Sequence, residues 1–411
     1  MPRWRLVTLL VFAGAACAGA ACDEAALGSG EIEPPALAAA GTAPSAVLVE
    51  PAFEPSGVGA PLERVEPSPT VPAVARALAV EVDLPRPHRA RGARAVKENA
   101  ECADCHEEEA REWERSRHRQ AFTNRAFADA FAIEPAGFCA DCHAPEADET
   151  PVTGPVSRLG VGCVTCHVDN DGAVLAVARD GAAGDEAPHA IRRSPGFGTA
   201  AACAGCHEFR FPTARPGATD DGAFMQTTAR EHARSPAADR SCASCHMPSK
   251  AGRRSHDFGV VRDPDWLREA LSASVSLDVS DALEITLTQK APGHAFPTGD
   301  LFRRLEVGAE LRGPGGKVLL RRVRHLERHL EISRSRGTRE LVDDDRVFFE
   351  PRVVELDLHP PDGAAAPSSV VWWVKLQRVA QTFDGRDPSA AIIESEVPLY
   401  RGTLPWKPSQ P

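Results

Sequence analysis

Between Cys102 and His246 the pattern Cys-x-x-Cys-His occurs five times: Cys102–Cys105–His106, Cys139–Cys142–His143, Cys163–Cys166–His167, Cys203–Cys206–His207 and Cys242–Cys245–His246. Two thiols spaced in this way can each add to one vinyl group of a single porphyrin. The residue that follows then sets its imidazole beneath the metal as the proximal ligand. The five repeats fall within 145 residues and use ten of the twelve cysteines. Five disulfides or paired zinc sites are the competing readings. Neither explains a histidine after every second cysteine, and a histidine so placed is badly positioned to share a tetrahedral metal with that cysteine. The pattern therefore predicts five covalently bound haem c groups.

A haem iron held by one histidine has a second face, and what fills it separates an electron relay from a site that binds small molecules. Beyond the initiator, methionine occurs only at Met225 and Met247, and Met247 is tied beside His246. Nine histidines lie outside the motifs, so histidine is the side chain abundant enough to serve five sites. Bis-histidine haems of low potential are expected, low-spin and six-coordinate throughout. The candidates are His118, His189, His232, His256 and His294; for each, the alternative is a surface or hydrogen-bonded imidazole. His118 is expected on a helix that follows the first motif. His294 stands in the glycine- and proline-bounded loop Gly293–Gly299, which can reach back over the haem region. His88, His325, His329 and His359 lie among charged residues and are expected to be solvated.

The pattern Cys102–His106 followed by Trp113, Ser116 and His118 resembles multihaem cytochromes related to hydroxylamine oxidoreductase and its tetrahaem electron acceptor. Met225-Gln226-Thr227, then Cys242–Pro248 and His256, and the Gly293–Gly299 loop are similar to the same group, over residues 96 to about 312. The resemblance implies closely packed haem pairs with spaced histidines as distal ligands. Two departures count against its enzymatic members. Pentahaem nitrite reductases replace one motif histidine with lysine, whereas all five motifs here end in histidine. Hydroxylamine oxidoreductases crosslink a haem to tyrosine, and the sole tyrosine here is Tyr400. A redox enzyme acting on small nitrogen or sulfur compounds at one five-coordinate haem is the alternative to an electron carrier.

The elements that must hold these groups follow from composition and period. The 411 residues carry a net charge of −11, which argues against a nucleic-acid partner. Arg3 and Arg5 before the apolar Leu6–Ala13 read as an export signal over residues 1–22. Small residues precede Cys17 and Cys22, as in bacterial lipoprotein signals, although Gly14 and Gly19 stand where leucine is usual. Acylation of Cys17 or Cys22 would anchor the protein to a membrane; an ordinary cleaved signal would leave it periplasmic. Residues 23–94 are alanine- and proline-rich, a tether without regular structure. Residues 95–270 form the pentahaem region, loop-rich and mostly helical, with Glu107–Ala128 one continuous helix. From Leu271 the period changes to two, as in Leu283, Ile285 and Leu287 or Leu305, Val307, Ala309 and Leu311. This predicts an antiparallel β-sandwich over 271–411. The fold class is α+β, and the β-sandwich carries no cysteine. Redox partner proteins, donor and acceptor, are expected, with the β-sandwich a possible docking module.

Overall fold

A computed structural model describes residues 84–406, apart from 134, 179–186, 213–218, 260–262, 279–280, 334–337 and 380–390. The export signal, Cys17, Cys22 and the tether up to residue 83 lie outside the described residues. Helix α1, Gly92–Cys105, is built from good helix formers and carries Arg94–Glu98 and Lys97–Glu101 ion pairs one turn apart, the spacing that supports an exposed helical face. Ala95 and Asn99 point inward. Helix α2, Glu107–Arg115, opens on Glu107, Glu108 and Glu109, placing negative charge at the positive end of the helix dipole.

The expected continuous helix over Glu107–Ala128 is not formed. Ser116 is extended at ψ 163° and its hydroxyl accepts the Arg119 N–H at 3.1 Å, offering the backbone a partner outside the helix. Helix α3 begins only at Arg125 and runs to Ile133. The break exposes the His118 carbonyl, which accepts the Val161 N–H at 2.8 Å. Gly160, at φ +60°, lies so close to the His118 and Arg119 carbonyls that any Cβ would collide with them. Helix interruption and glycine together let two backbones meet there.

The remaining helices are short: α4 Gly137–His143, α5 Gly154–Leu159, α6 Cys163–His167, α7 Ala201–His207, α8 Thr228–Ala233, α9 Cys242–His246 and α10 Pro264–Ala270. Three small sheets lie among them. β1 (Val174–Val177) pairs in parallel with β2 (Ile191–Ser194). β3 (Glu208–Pro212) pairs antiparallel with β4 (Thr219–Thr227), as does β5 (Ser249–Lys250) with β6 (Arg253–Arg254). Helices of five to seven residues cannot stabilise themselves, so the intervening segments pair as strands and the region is less helical than expected. Its buried apolar cluster is small: Ala95, Trp113, Leu159, Val164 and Val168.

From Leu271 the chain is β-structure: β7 Leu271–Leu277, β8 Ala282–Gln289, β9 Arg303–Arg312, β10 Val318–Leu326, β11 Arg328–Ile332, β12 Arg339–Asp344, β13 Arg352–Asp357, β14 Ser369–Val379 and β15 Ile393–Pro405. One sheet has the order β10-β9-β14-β15 and another β13-β8-β7, while β11 and β12 form a separate hairpin; every pairing in this region is antiparallel. In β8 alternate residues Leu283, Ile285 and Leu287 are fully buried, as a strand with one covered face requires. They share a core with Leu305, Val307, Leu311, Val370, Val374 and Leu399 of the four-stranded sheet. The class is α+β with antiparallel sheets. On the other face of the four-stranded sheet, Glu306 accepts from Trp373 Nε1 at 2.7 Å and Gln377 Nε2 at 2.8 Å. Trp373 lies flat against Gly308, where a Cβ would strike the indole.

Two of the histidines expected in solvent are not there. His325 is nearly buried, with Nε2 3.7 Å from Glu306, because β10 pairs β9 and sets His325 beside Glu306. His329 is half-buried, 3.2 Å from Asp345. His359 is exposed, as is His88, 3.3 Å from Asp141.

Candidate functional site

Four of the five motifs lie whole on short helices, and the first ends α1, with His106 as the residue after it. One helical turn puts both cysteines of a motif on one side, with the histidine directly beyond. None of the ten motif cysteines is paired in a disulfide. The motifs approach one another. The Cys142 thiol is within hydrogen-bonding reach of Cys206, and the Cys203 thiol of Cys242. Cys163 lies within electrostatic range of Cys102, and Cys203 and Cys206 within range of Cys166. The second and the fifth motif each bring a thiol against the fourth. Burial pushes the Cys163 thiol up to about 12 and Cys166 to about 11, so both are neutral thiols.

The imidazoles come together in pairs from distant parts of the chain. The rings of His118 and His207 are 6.2 Å apart between centres, those of His167 and His256 6.2 Å, and those of His246 and His294 6.1 Å. This is too far for a direct hydrogen bond between rings in contact. Two imidazoles on opposite sides of one first-row metal ion, at metal–nitrogen distances of about 2.0–2.1 Å, place their ring centres a little over 6 Å apart. Each pair joins one motif histidine to one outside histidine, so the donor set and its spacing fit haem iron. Burial, reinforced by the facing or neighbouring imidazole, holds His118, His167, His207 and His246 down to about 4. All four are neutral at pH 7, the form that can donate a lone pair to a metal.

The second nitrogen of each ring fixes its orientation. His143 Nδ1 lies 2.7 Å from the Ala121 carbonyl, His256 Nδ1 2.9 Å from that of Arg254, and His294 Nδ1 3.0 Å from that of Ala295. An Nδ1–H donated to a carbonyl leaves Nε2 as the free lone pair, the usual arrangement behind a metal-bound imidazole. At His207 the neighbour of Nδ1 is Gln226 Nε2 at 3.0 Å, a donor, so this ring is held differently from the other three.

Two buried carboxylates that the sequence reading passed over hold the outside histidines in place. Glu112 on α2 accepts the His256 N–H at 2.8 Å and pairs with Arg253 at 2.8 Å. The Arg253 hydrogen bond is the main reason its carboxyl is held down to about 2. Glu231 on α8 accepts from Ala295 N at 3.2 Å, Thr298 Oγ1 at 2.6 Å and Arg346 at 2.8 Å. It therefore ties the Gly293–Gly299 loop to the haem region. Burial alone would raise the Glu231 carboxyl, but Arg346 and these hydrogen bonds lower it. In the sequence both residues sit among ordinary charged neighbours. The only signal at hand was their spacing, Glu112 six residues before His118 and Glu231 directly before His232.

Not every expected ligand is brought to a motif. Among the described ring contacts, His118, His256 and His294 each face a motif imidazole, while His189 and His232 do not. His189 is exposed, and His232 is buried on α8. Likewise His106 and His143 have no imidazole opposite them among the described contacts; Phe127 stacks on His143 at 3.9 Å.

Comparison with known proteins bears on the motif region and on the fold. Residues 101–168 match the family "Cytochrome c554 and c-prime", and residues 152–257 match "Outer membrane cytochrome MtrC/MtrF-like, domains II/IV". Together these stretches include all five motifs. No curated protein matches the chain. A penta-haem cytochrome c552 from Thermochromatium tepidum superposes with a TM-score of 0.56 at 19% identity, over 75% of this chain and 98% of that one; the fold is shared. MtrC from Shewanella baltica OS185 superposes only at a TM-score of 0.15, at 12% identity over 65% of this chain and 41% of its own, and carries no argument. The matched families are multihaem c-type cytochromes, which supports reading the motif region as one of haem c attachment and electron transfer. No helix among the described residues is long and apolar enough to cross a membrane.

Proposed function

We propose that the protein carries five haem c groups and relays electrons in the bacterial cell envelope, held to a membrane by an acylated Cys17 or Cys22. The observation that carries this reading is the set of three imidazole pairs with ring centres 6.1–6.2 Å apart, each joining a motif histidine to a distant one. Haem iron, when bound, supplies one-electron exchange between its ferric and ferrous states. The chain's residues do the rest. The paired cysteines fix each porphyrin through thioethers, and His106, His143, His167, His207 and His246 serve as proximal ligands. His118, His256 and His294 fill the opposite faces at the fourth, third and fifth motifs. Glu112 and Glu231 hold two of these in position. We place the chain beside the carrier members of the hydroxylamine-oxidoreductase-related group, on Trp113, Ser116 and His118. The net charge of −11 favours donors and acceptors with basic docking faces.

A second reading is kept because His106 and His143 have no facing imidazole among the described contacts: one of these haems is five-coordinate and binds a small molecule. Mass spectrometry and electron paramagnetic resonance of purified holoprotein test both. Five haem additions with low-spin signals throughout support the relay. A high-spin signal with carbon monoxide binding moves the assignment to the second reading. A mature protein no heavier than its bare polypeptide, without a Soret band, removes both.

A further inference from the structure

Between α8, the β3–β4 pair and the β11–β12 hairpin lies a cleft of about 430 Å³, within the size range of small-molecule pockets, about 300–1,000 Å³. One wall is apolar, made by Phe224, Leu330, Leu341 and Phe348. The other carries Arg328, which is only 7% exposed. Its guanidinium donates to the carbonyls of Phe224 (2.9 Å), Met225 and Gly299 (3.3 Å). None of these is a carboxylate, and they use three of the roughly five N–H groups a guanidinium offers. The nearby acids, Glu231 and Asp344, are both held by Arg346. Burial, with Arg346 beside it, pushes Arg328 down to about 10, still fully charged at pH 7. Glu231, Asp344 and Asp300 lie within electrostatic range of Arg328, yet among the described residues no carboxylate forms an ion pair with it, and a buried cation so placed is costly. Arg230 and Arg210 stack on the ring of Phe224, and Arg230 is also paired with Glu208 at 2.8 Å.

We propose that this cleft is a carboxylate-binding site, with Arg328 as the charged receptor and the Phe224–Phe348 wall covering the apolar body of the ligand. No motif cysteine or imidazole lines it, so it does not depend on which histidines ligate iron. The carboxylate is either that of a diffusible monocarboxylic acid or the propionate of a neighbouring haem. Calorimetric titration of oxidised holoprotein with benzoate separates these sources when combined with redox titration. The variants are Arg328→Gln, Arg328→Lys and Leu341→Trp, the last at a half-exposed position where the larger ring fills the cleft.

If the ligand is diffusible, benzoate binds one to one, Arg328→Gln weakens it at least roughly tenfold, Arg328→Lys weakens it less, and Leu341→Trp blocks it. If a propionate occupies the cleft, benzoate does not bind. Arg328→Gln then lowers the midpoint potential of one haem, because a positive charge beside the propionate is lost, and Arg328→Lys restores it in part. Should Arg328→Gln not fold, Arg328→Lys is read against the parent in its place. Benzoate uptake indifferent to these substitutions, or no uptake together with unchanged potentials, overturns the assignment.

Discussion

The haem region and the β region solve the same problem by different means. The β region encloses a core in which Leu271, Leu283, Ile285, Leu287, Leu305, Val307 and Leu311 are wholly buried. The haem region buries only a small cluster around Trp113 and Val164. Burial of apolar area is the main favourable term in folding. The β region therefore has an apolar core of its own, whereas the haem region, on the proposed function, would draw part of its core from porphyrin.

The largest test of that contrast is to make the protein without haem attachment. Limited proteolysis is expected to remove residues 95–260 quickly and to leave a stable fragment from about 271 onward. Equal sensitivity of the two parts would break the contrast. Next is Glu231→Gln, which removes one of the two carboxylates on buried Arg346 and leaves Asp344, at a cost of about 1–3 kcal/mol. Chemical denaturation measures the loss, and the fifth-motif haem should at the same time show a perturbed spectrum, since Ala295 and Thr298 lose their anchor. Loss of stability without spectral change would separate Glu231 from His294. Ile285→Ala should cost about 2–5 kcal/mol, read as unfolding of the β region while the Soret band stays unchanged; a shifted Soret band would mean that the two regions are not separable.

The smallest expected effect is a pH dependence at Glu306. Burial would raise its carboxyl, but the His325 ring 3.7 Å away and hydrogen bonds from Trp373 and Gln377 win and hold it down to about 2. A carboxyl with a folded value below its ordinary 4.5 adds stability above that pH and loses it as pH falls from 4.5 towards 2. The contribution is on the order of 1–2 kcal/mol. Glu306→Gln should flatten the stability curve in that window; an unchanged slope would show that the carboxylate is not stabilised there.

What the sequence made legible follows the same division. The five motifs were readable because attachment chemistry requires fixed spacing, and β8 and β9 because one covered face enforces alternation. Strands β10, β11 and β12 escaped notice. Their run from Val318 to Asp344 is rich in arginine, glutamate and aspartate, and some of its charges meet partners on a neighbouring strand, as Arg321 meets Glu310 and His325 meets Glu306. His118, His256 and His294 stood out through their local phrases, yet His118 was assigned to a helix that Ser116 ends. His189 looked equivalent in sequence and lies exposed. Glu112, Glu231 and Arg346 were invisible for a physical reason: a buried ion pair is written in the same letters as a solvated one, and only the fold reveals which charges have lost their water.

The Glu231 tie also sets an order of assembly. A chain emerging from its N-terminus presents the fifth motif 48 residues before His294, so the facing imidazole arrives after the motif itself. That imidazole is locked only when Ala295 and Thr298 reach Glu231 and Arg346 follows from beyond β12. On the proposed ligation, closure of the fifth site would wait on the C-terminal half, and a chain truncated before residue 294 would lack the imidazole that faces His246.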